Sequence, residues 1–283
     1  MTILVTGASG NVGKEVVRQL QSRQVPFQVG DRKRAIENTG AGVKTVRFDF
    51  LDPSTYAPAV AGCDAVFLLR PPAIANTQQT LNVFLDVAQS QGVSQVVFIS
   101  VAGAGDNPLV PHHAVERHLR AGSTGWTILR PGFFAQNIGS AYRQDIVNDD
   151  RIFVPAGSGR VAFLDVRDLA EVAANALVDP ATYRGKTYTL TGIAAYSFVE
   201  VASILSQELD RRTIRYQPAS ILAYCLHLFR RGMPPAQILI QTILHVGLRF
   251  GQAQAVTTSL PDLLGHQPRT LYDYIRDNVA LWL

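Results

Sequence analysis

Cysteine is scarce in this 283-residue chain: Cys63 and Cys225 are the only two, and no CxxC pair occurs. That excludes a disulfide framework and a thiolate zinc site, and it fits a reducing compartment, the cytoplasm. Charged residues are also few, 17% against 47% hydrophobic, which excludes disorder over most of the chain and can fill a large core. The net charge is only +4, and the clusters Arg32-Lys33-Arg34, Arg211-Arg212 and Arg230-Arg231 are scattered. No basic face of the kind that binds nucleic acid is present. A mildly basic protein that holds an anionic cofactor accounts for the balance. Long apolar runs are missing too. The richest stretch, 236–250, follows Pro234-Pro235, is interrupted by Gln241 and His245, and ends with Arg249-Phe250. It is too short to span a bilayer and reads as a buried or lid helix, with a membrane-surface helix as the alternative. Met1-Thr2-Ile3-Leu4-Val5 lacks the basic-then-apolar layout of a signal peptide. Internal repeats and low-complexity linkers are absent.

What is present is an alternation of short apolar runs with helical patterns, the mark of a parallel sheet with crossover helices. Ile3–Val5, Phe27–Val29, Val43–Phe48, Ala65–Leu69, Val96–Ile99 and Trp126–Leu129 read as strands, and Thr187–Leu190 as a late one. Helices are expected over 11–23, 76–90, 112–121, 165–177, 197–209 and near 270–282, with an apolar helical pair over 219–250. Residues 140–165 read as a loop-rich excursion. Ser197 with Glu200 three residues on is a capping box. The expected division is a nucleotide-binding core over 1–135 and a lobe over 136–283 with interleaved late strands and helices, together one compact unit.

The chemistry begins at Gly7-Ala8-Ser9-Gly10-Asn11-Val12-Gly13, between the first strand and the first helix. In that setting a glycine-rich turn is a dinucleotide-binding signal. Gly7 permits the turn, Gly10 lets the backbone approach a pyrophosphate, and Gly13 lets the helix pack close. The helix start supplies N–H groups and partial positive charge for phosphates. At the end of the second strand two signals conflict. Asp31 stands where an acid bonds the ribose 2′-OH of NAD. Arg32, directly after it, suits the 2′-phosphate of NADP, or belongs with Lys33 and Arg34 to a solvated turn. NADP is the first expectation and NAD the alternative.

Other residues are candidates for proton transfer or binding. Ser100 ends a strand at the edge where ligands bind in open α/β sheets, and His112-His113 precede a helix. Ser100 and His113 are the candidate catalytic pair, and His113 otherwise bonds backbone or ribose. His112 and Glu116 lie four apart, but no third ligand joins them, so no metal is expected. Asp165 and Asp168 read as caps or as ties to Arg167 or Arg130. Phe133, Phe134, Tyr142, Phe153 and the 219–250 stretch are either plain core or the walls of an apolar pocket suited to a flat aromatic or quinone-like substrate.

The ordered set Thr6–Gly13, Phe48-Asp49-Phe50-Leu51-Asp52, Val97–Ser100, His112–Glu116, Leu129–Asn137, Phe163–Asp168 and Tyr188–Gly192 resembles the NmrA-like, atypical short-chain dehydrogenase/reductase group. That group includes triphenylmethane reductase-like and quinone oxidoreductase-like enzymes. The resemblance spans about residues 1–192 and implies a Rossmann-type doubly wound α/β sheet with a small C-terminal α/β substrate lobe. It implies a cofactor path as well. Gly7 to Gly13 would hold the pyrophosphate, and Asp31 and Arg32 would meet the adenosine ribose or its phosphate. Asp49 and Phe50 would flank the adenine, and Leu69, Arg70 and Pro71 would pass under the nicotinamide ribose. Ser100, Val101, Pro131, Gly132 and Phe133 would line the nicotinamide. The chain departs from the wider superfamily at its Tyr-x-x-x-Lys motif, whose positions fall on Val110 and Ala114. Any proton donor must then be Ser100, His112, His113, Tyr142 or water. The resemblance implies an NAD(P)H-dependent reductase of a quinone-like, enone or imine acceptor, monomeric or homodimeric. The alternative is an NAD(P)-sensing regulator that binds a partner protein without turnover. A third option is a reductase fold recruited for isomerisation or cyclisation.

Overall fold

A computed structural model of the chain describes residues 1–33, 38–39, 43–210 and 212–283. Arg34, in the cluster after Asp31, and Arg211 lie outside the described residues. The chain folds as two compact units, one of Met1–Pro131 with Val166–Leu190 and one of Gly132–Asp165 with Thr191–Leu283.

The first unit is built on strands β1 (Ile3–Val5), β2 (Phe27–Asp31), β3 (Asn38–Thr39), β4 (Val43–Arg47), β5 (Ala65–Leu69), β6 (Gln95–Ile99), β7 (Gly125–Pro131) and β8 (Lys186–Leu190). They form one sheet in the order β8-β7-β6-β5-β1-β2-β4-β3, parallel except at the β3 edge. This is the doubly wound Rossmann-type arrangement expected. The strand order reverses between β1 and β5, and in open α/β sheets that point opens the ligand crevice. The central strands are apolar on both faces because helices cover both, so β1, β5 and β6 are buried almost throughout. Helices α1 (Asn11–Ser22), α2 (Leu81–Ser90), α3 (Pro111–Ala121) and α4 (Val166–Val178) flank the sheet. Phe84 of α2 meets Phe48, Phe50 and Tyr56 edge-on at ring separations of 4.9 to 5.7 Å. The expected helix over 76–90 begins only at Leu81. Asn76 pairs with Gln79, and the Thr77 hydroxyl bonds the Pro111 carbonyl, so these side chains hold a turn in place of the first helical turns.

The division differs from the expected break at residue 135. Segment 166–190 returns to the first unit because β8 pairs in parallel with β7 along its whole length. The first unit also carries all four lysines, Lys14, Lys33, Lys44 and Lys186, each exposed.

The second unit has its own core around Phe198, Ile204, Leu205, Tyr274 and Trp282. Helix α5 (Phe198–Glu208) starts at the expected capping box, with Ser197 and Glu200 bonding each other's backbone. The apolar pair is α6 (Ile221–Arg230) and α7 (Pro235–Leu248), broken at Gly232, whose φ of +75° ends α6. The 140–165 excursion is not only loop: Arg143–Asp149 is helical. Its inward carboxylate, Asp145, is held by Arg231 at 2.9 and 3.0 Å and by His227 at 3.0 Å.

Candidate functional site

The turn after β1 is shaped by steric demands. Gly7 adopts φ +67°, open to glycine at little cost, and a Cβ there would sit 2.9 Å from Leu69 Cδ2. The Gly10 N–H donates to the Gly7 carbonyl at 3.0 Å. A Cβ on Gly13 would lie 2.2 Å from that same oxygen, so α1 touches the turn at a point where only glycine fits. Gly10 differs. A Cβ there would meet nothing closer than 3.5 Å, so packing within the protein does not require its glycine. The bare, exposed face at Gly10 suits a ligand that must approach the backbone. The start of α1 has no side-chain cap and no acidic residue in its first turn. Among the described residues its leading N–H groups have no side-chain cap, and they lie at the positive end of the helix, as an anion cradle requires. The residues present fit a pyrophosphate.

Thr6 fixes the crevice beside this turn. Its hydroxyl donates to the Phe67 carbonyl at 3.0 Å and accepts the Leu69 N–H at 2.9 Å, tying the end of β1 to β5. Asp31 closes β2, and one of its oxygens accepts the Lys33 N–H at 2.8 Å. Arg32 beside it is exposed. Asp49 is half-buried and accepts the Leu51 N–H at 2.9 Å, whereas the Phe50 ring is turned into the aromatic core. Only the Phe50 backbone is left to meet an adenine. Leu69, the last residue of β5, and Pro71 just after it are half-buried. Arg70 between them shapes its own loop, donating to the carbonyls of Pro71, Pro72 and Ile74 and, at 3.2 Å, to His112 Nε2.

Past β6 the structure assembles a network that the sequence did not reveal. The Ser100 hydroxyl is buried and donates to Glu116 Oε1 at 2.6 Å. Glu116 is fully buried on α3 and is gripped by Arg130 of β7 through two hydrogen bonds, with Arg120 at 3.1 Å. Burial alone would raise the Glu116 carboxyl. The bonds from Arg130 and Ser100 and the charges of Arg130 and Arg120 outweigh it and hold the group below its ordinary value. Arg130 therefore has Glu116 as its carboxylate partner, where the sequence left Asp165 or Asp168 as one option beside helix capping or a tie to Arg167. Asp165 instead accepts from the Gln136 amide at 2.9 Å. Val101 is half-buried beyond Ser100, and Pro131 is buried at the end of β7.

His112 is buried, and burial with the charge of Arg70 lowers its pKa to about 4, against the opposing pull of Glu116. It is neutral near pH 7, and accepting from Arg70 on Nε2 places its proton on Nδ1, which has no partner. His113 is half-buried, and its Nδ1 bonds the Ala104 carbonyl at 2.8 Å. In the neutral ring this leaves Nε2 as an acceptor. The ring also borders an open groove of about 860 Å³ with Asp86, Arg117 and His118. Among the described residues no His, Cys, Asp or Glu group could hold a metal.

In the second unit, Gly132 and Phe133 are half-buried, and Phe133 meets Phe163 and His245 edge-on at 5.7 and 6.1 Å. Tyr142 is buried, its hydroxyl 2.7 Å from His245 Nε2, while His245 Nδ1 bonds the Gln241 carbonyl at 2.7 Å. Tyr224 lies against the same ring. Burial pushes the Tyr142 hydroxyl well above its ordinary value and pulls His245 down. His245 reads in the sequence only as a break in an apolar stretch. Its partner Tyr142 is 103 positions away, and no local signal could have joined them.

A family model described as NAD(P)H-binding matches residues 7–180. The chain belongs to this NAD(P)H-binding family. A protein from Xenophilus azovorans named NAD(P)H azoreductase is 30% identical over 98% of this chain and 98% of its own length. Among solved structures, triphenylmethane reductase of Citrobacter sp. complexed with NADP(H) superposes with a TM-score of 0.86 at 24% identity, covering 97% of this chain and 99% of that one. An NADPH-dependent quinone oxidoreductase from Escherichia coli gives a TM-score of 0.85 at 22% identity, covering 97% and 99%. These two likenesses carry the fold, and with the family match they bear out the resemblance read from the sequence. Among the described residues no helix is long and apolar enough to cross a membrane.

Proposed function

We propose that this chain is an NAD(P)H-dependent reductase that passes a hydride to a flat aromatic, quinone-like, enone or imine acceptor in the cytoplasm. The observation that carries this reading is the uncapped start of α1, pressed through Gly13 onto Gly7 at the point where the strand order reverses. Bound NAD(P)H supplies the hydride. The Gly7–Gly13 backbone binds the pyrophosphate, and Thr6 ties the end of β1 to β5 beside it. Asp49, Leu69 and Pro71 are its expected borders, with Ser100, Val101 and Pro131 on the nicotinamide side.

Proton supply distinguishes this chain. Val110 and Ala114, at the positions of the superfamily's Tyr–Lys pair, carry no transferable proton. The Ser100 hydroxyl is committed to a hydrogen bond to Glu116, and His113 is held through Nδ1. Acceptors whose developing negative charge delocalises need little acid help, so positioning and exclusion of water suffice. The near-full-length relative named azoreductase supports this substrate class. The same shortage of donors favours a second reading, a sensor that binds NAD(P)H and a partner protein without turnover.

One experiment separates the two. Purified protein is mixed with NADPH or NADH and a panel of quinones, azo dyes and triphenylmethane dyes, and the nicotinamide absorbance is followed. Oxidation with at least one acceptor class is expected, with NADPH bound tighter than NADH and the preference erased in Arg32→Ala. Tight binding with no oxidation across the panel would establish the sensor instead.

A further inference from the structure

Helices α6 and α7 pack on each other and bury only one side apiece. Tyr224 and Leu228 of α6 turn inward, as do Ile238, Thr242 and His245 of α7. The outward side of a soluble helix pair normally carries charged and polar residues. Here it carries Leu222, Leu226, Phe229, Ile240, Ile243 and Leu244, all between 45% and 79% exposed. An apolar surface of this kind marks a contact with another protein or with a membrane.

Charge decides between the two. Between Asp210 and Asp262 the chain contains no aspartate or glutamate, yet it holds Arg211, Arg212, Arg215, Arg230, Arg231 and Arg249. Arg231 is matched by Asp145, Arg212 by Asp150, and Arg249 by the carbonyls of Pro155 and Ala219. Arg215 and Arg230 are exposed, and Arg230 directly follows the outward Phe229 at the end of α6. A second copy docked here about a two-fold axis would set like charge against like, with no carboxylate in the segment to answer it. A bilayer rich in anionic lipid offers acyl chains for the apolar side and phosphates for the arginines. Both helices are too short to cross it, so they would lie along its surface.

We propose that the α6–α7 hairpin docks on the surface of an anionic lipid bilayer, apolar side inward and Arg230 at the phosphates. The proposal does not depend on the reductase reading. The full chain is to be sedimented with phosphatidylcholine vesicles, with and without phosphatidylglycerol, at low and high salt. Binding to the phosphatidylglycerol vesicles is expected, weaker at high salt. Ile240→Ser/Ile243→Ser removes two surface side chains and should cut partitioning at least about ten-fold with the melting curve unchanged. Arg230→Glu should remove the preference for phosphatidylglycerol. Phe229→Trp should shift its emission to the blue on binding. Wild-type protein that stays in the supernatant with both vesicle types overturns the proposal. So does a wild-type dimer, seen by sedimentation equilibrium, that the Ile240→Ser/Ile243→Ser change splits, since the face would then join two copies.

Discussion

Gly13 shows how much one residue without a side chain decides. Its Cα faces the Gly7 carbonyl so closely that a methyl group would stand 2.2 Å from the oxygen. Gly13→Ala must push α1 away from the turn, and overpacking of this kind costs ~1–3 kcal/mol. The expected outcome is a lower melting temperature together with weaker NADPH binding by calorimetry. A variant that binds NADPH as the wild type does would show that the helix approach is not needed for the nucleotide. Gly7 and Gly13 were legible because their spacing reports backbone demands that hold locally. The Tyr142–His245 pair and the Arg130–Glu116 pair were not legible. Each joins residues that only the finished fold brings together, and for Arg130 the sequence offered only Asp165 or Asp168 as optional partners.

At the level of elements, Glu116 joins α3 to β7 through Arg130 and to the end of β6 through Ser100. A carboxylate with no exposed surface is tolerated only while these donors surround it. Glu116→Gln leaves two guanidinium groups without their counter-charge. It should destabilise the protein by ~3 kcal/mol in urea unfolding, whereas Ser100→Ala, which removes one donor of several, should cost about 1 kcal/mol. Equal losses would mean that the ion pair contributes little. The strands were readable because buried parallel strands are short continuous apolar runs. The helix Arg143–Asp149 was not, since its inward face combines Ile146 with Asp145, a carboxylate that only the distant Arg231 and His227 hold in place. Likewise the helical pattern in 219–250 was plain, but not how much of its apolar surface would stay outward.

For the molecule as a whole, acidity is the expected weakness. The unfolded chain protonates His112 below its ordinary value of 6.5, while the native state resists until about 4. Protons then favour unfolding, so stability falls as the pH drops through that window, by up to about 3 kcal/mol. Glu116 adds to the loss lower down, because its folded carboxyl lies below the ordinary 4.5 and its contribution disappears as it is protonated. Urea midpoints measured at neutral pH and near pH 5 should fall with acidity, and His112→Gln should flatten the slope above pH 4.5. An unchanged slope in that variant would place the sensitivity elsewhere. The boundary between the units was harder to read than either unit's elements. Nothing in 166–190 itself says that its strand returns to the sheet of the first unit rather than staying with the second.

The confinement of lysine to the first unit has a practical side. Lys14 sits in the first turn of α1 directly after the glycine turn, and the Lys33 backbone N–H donates to Asp31, so two of the four lysines belong to segments expected to meet the nucleotide. Acetylation mapped by mass spectrometry would therefore read crevice occupancy at Lys14 and Lys33, with Lys44 and Lys186 as internal controls. The α6–α7 hairpin would stay chemically untouched by the same reagent, ready for the vesicle experiment on the labelled protein.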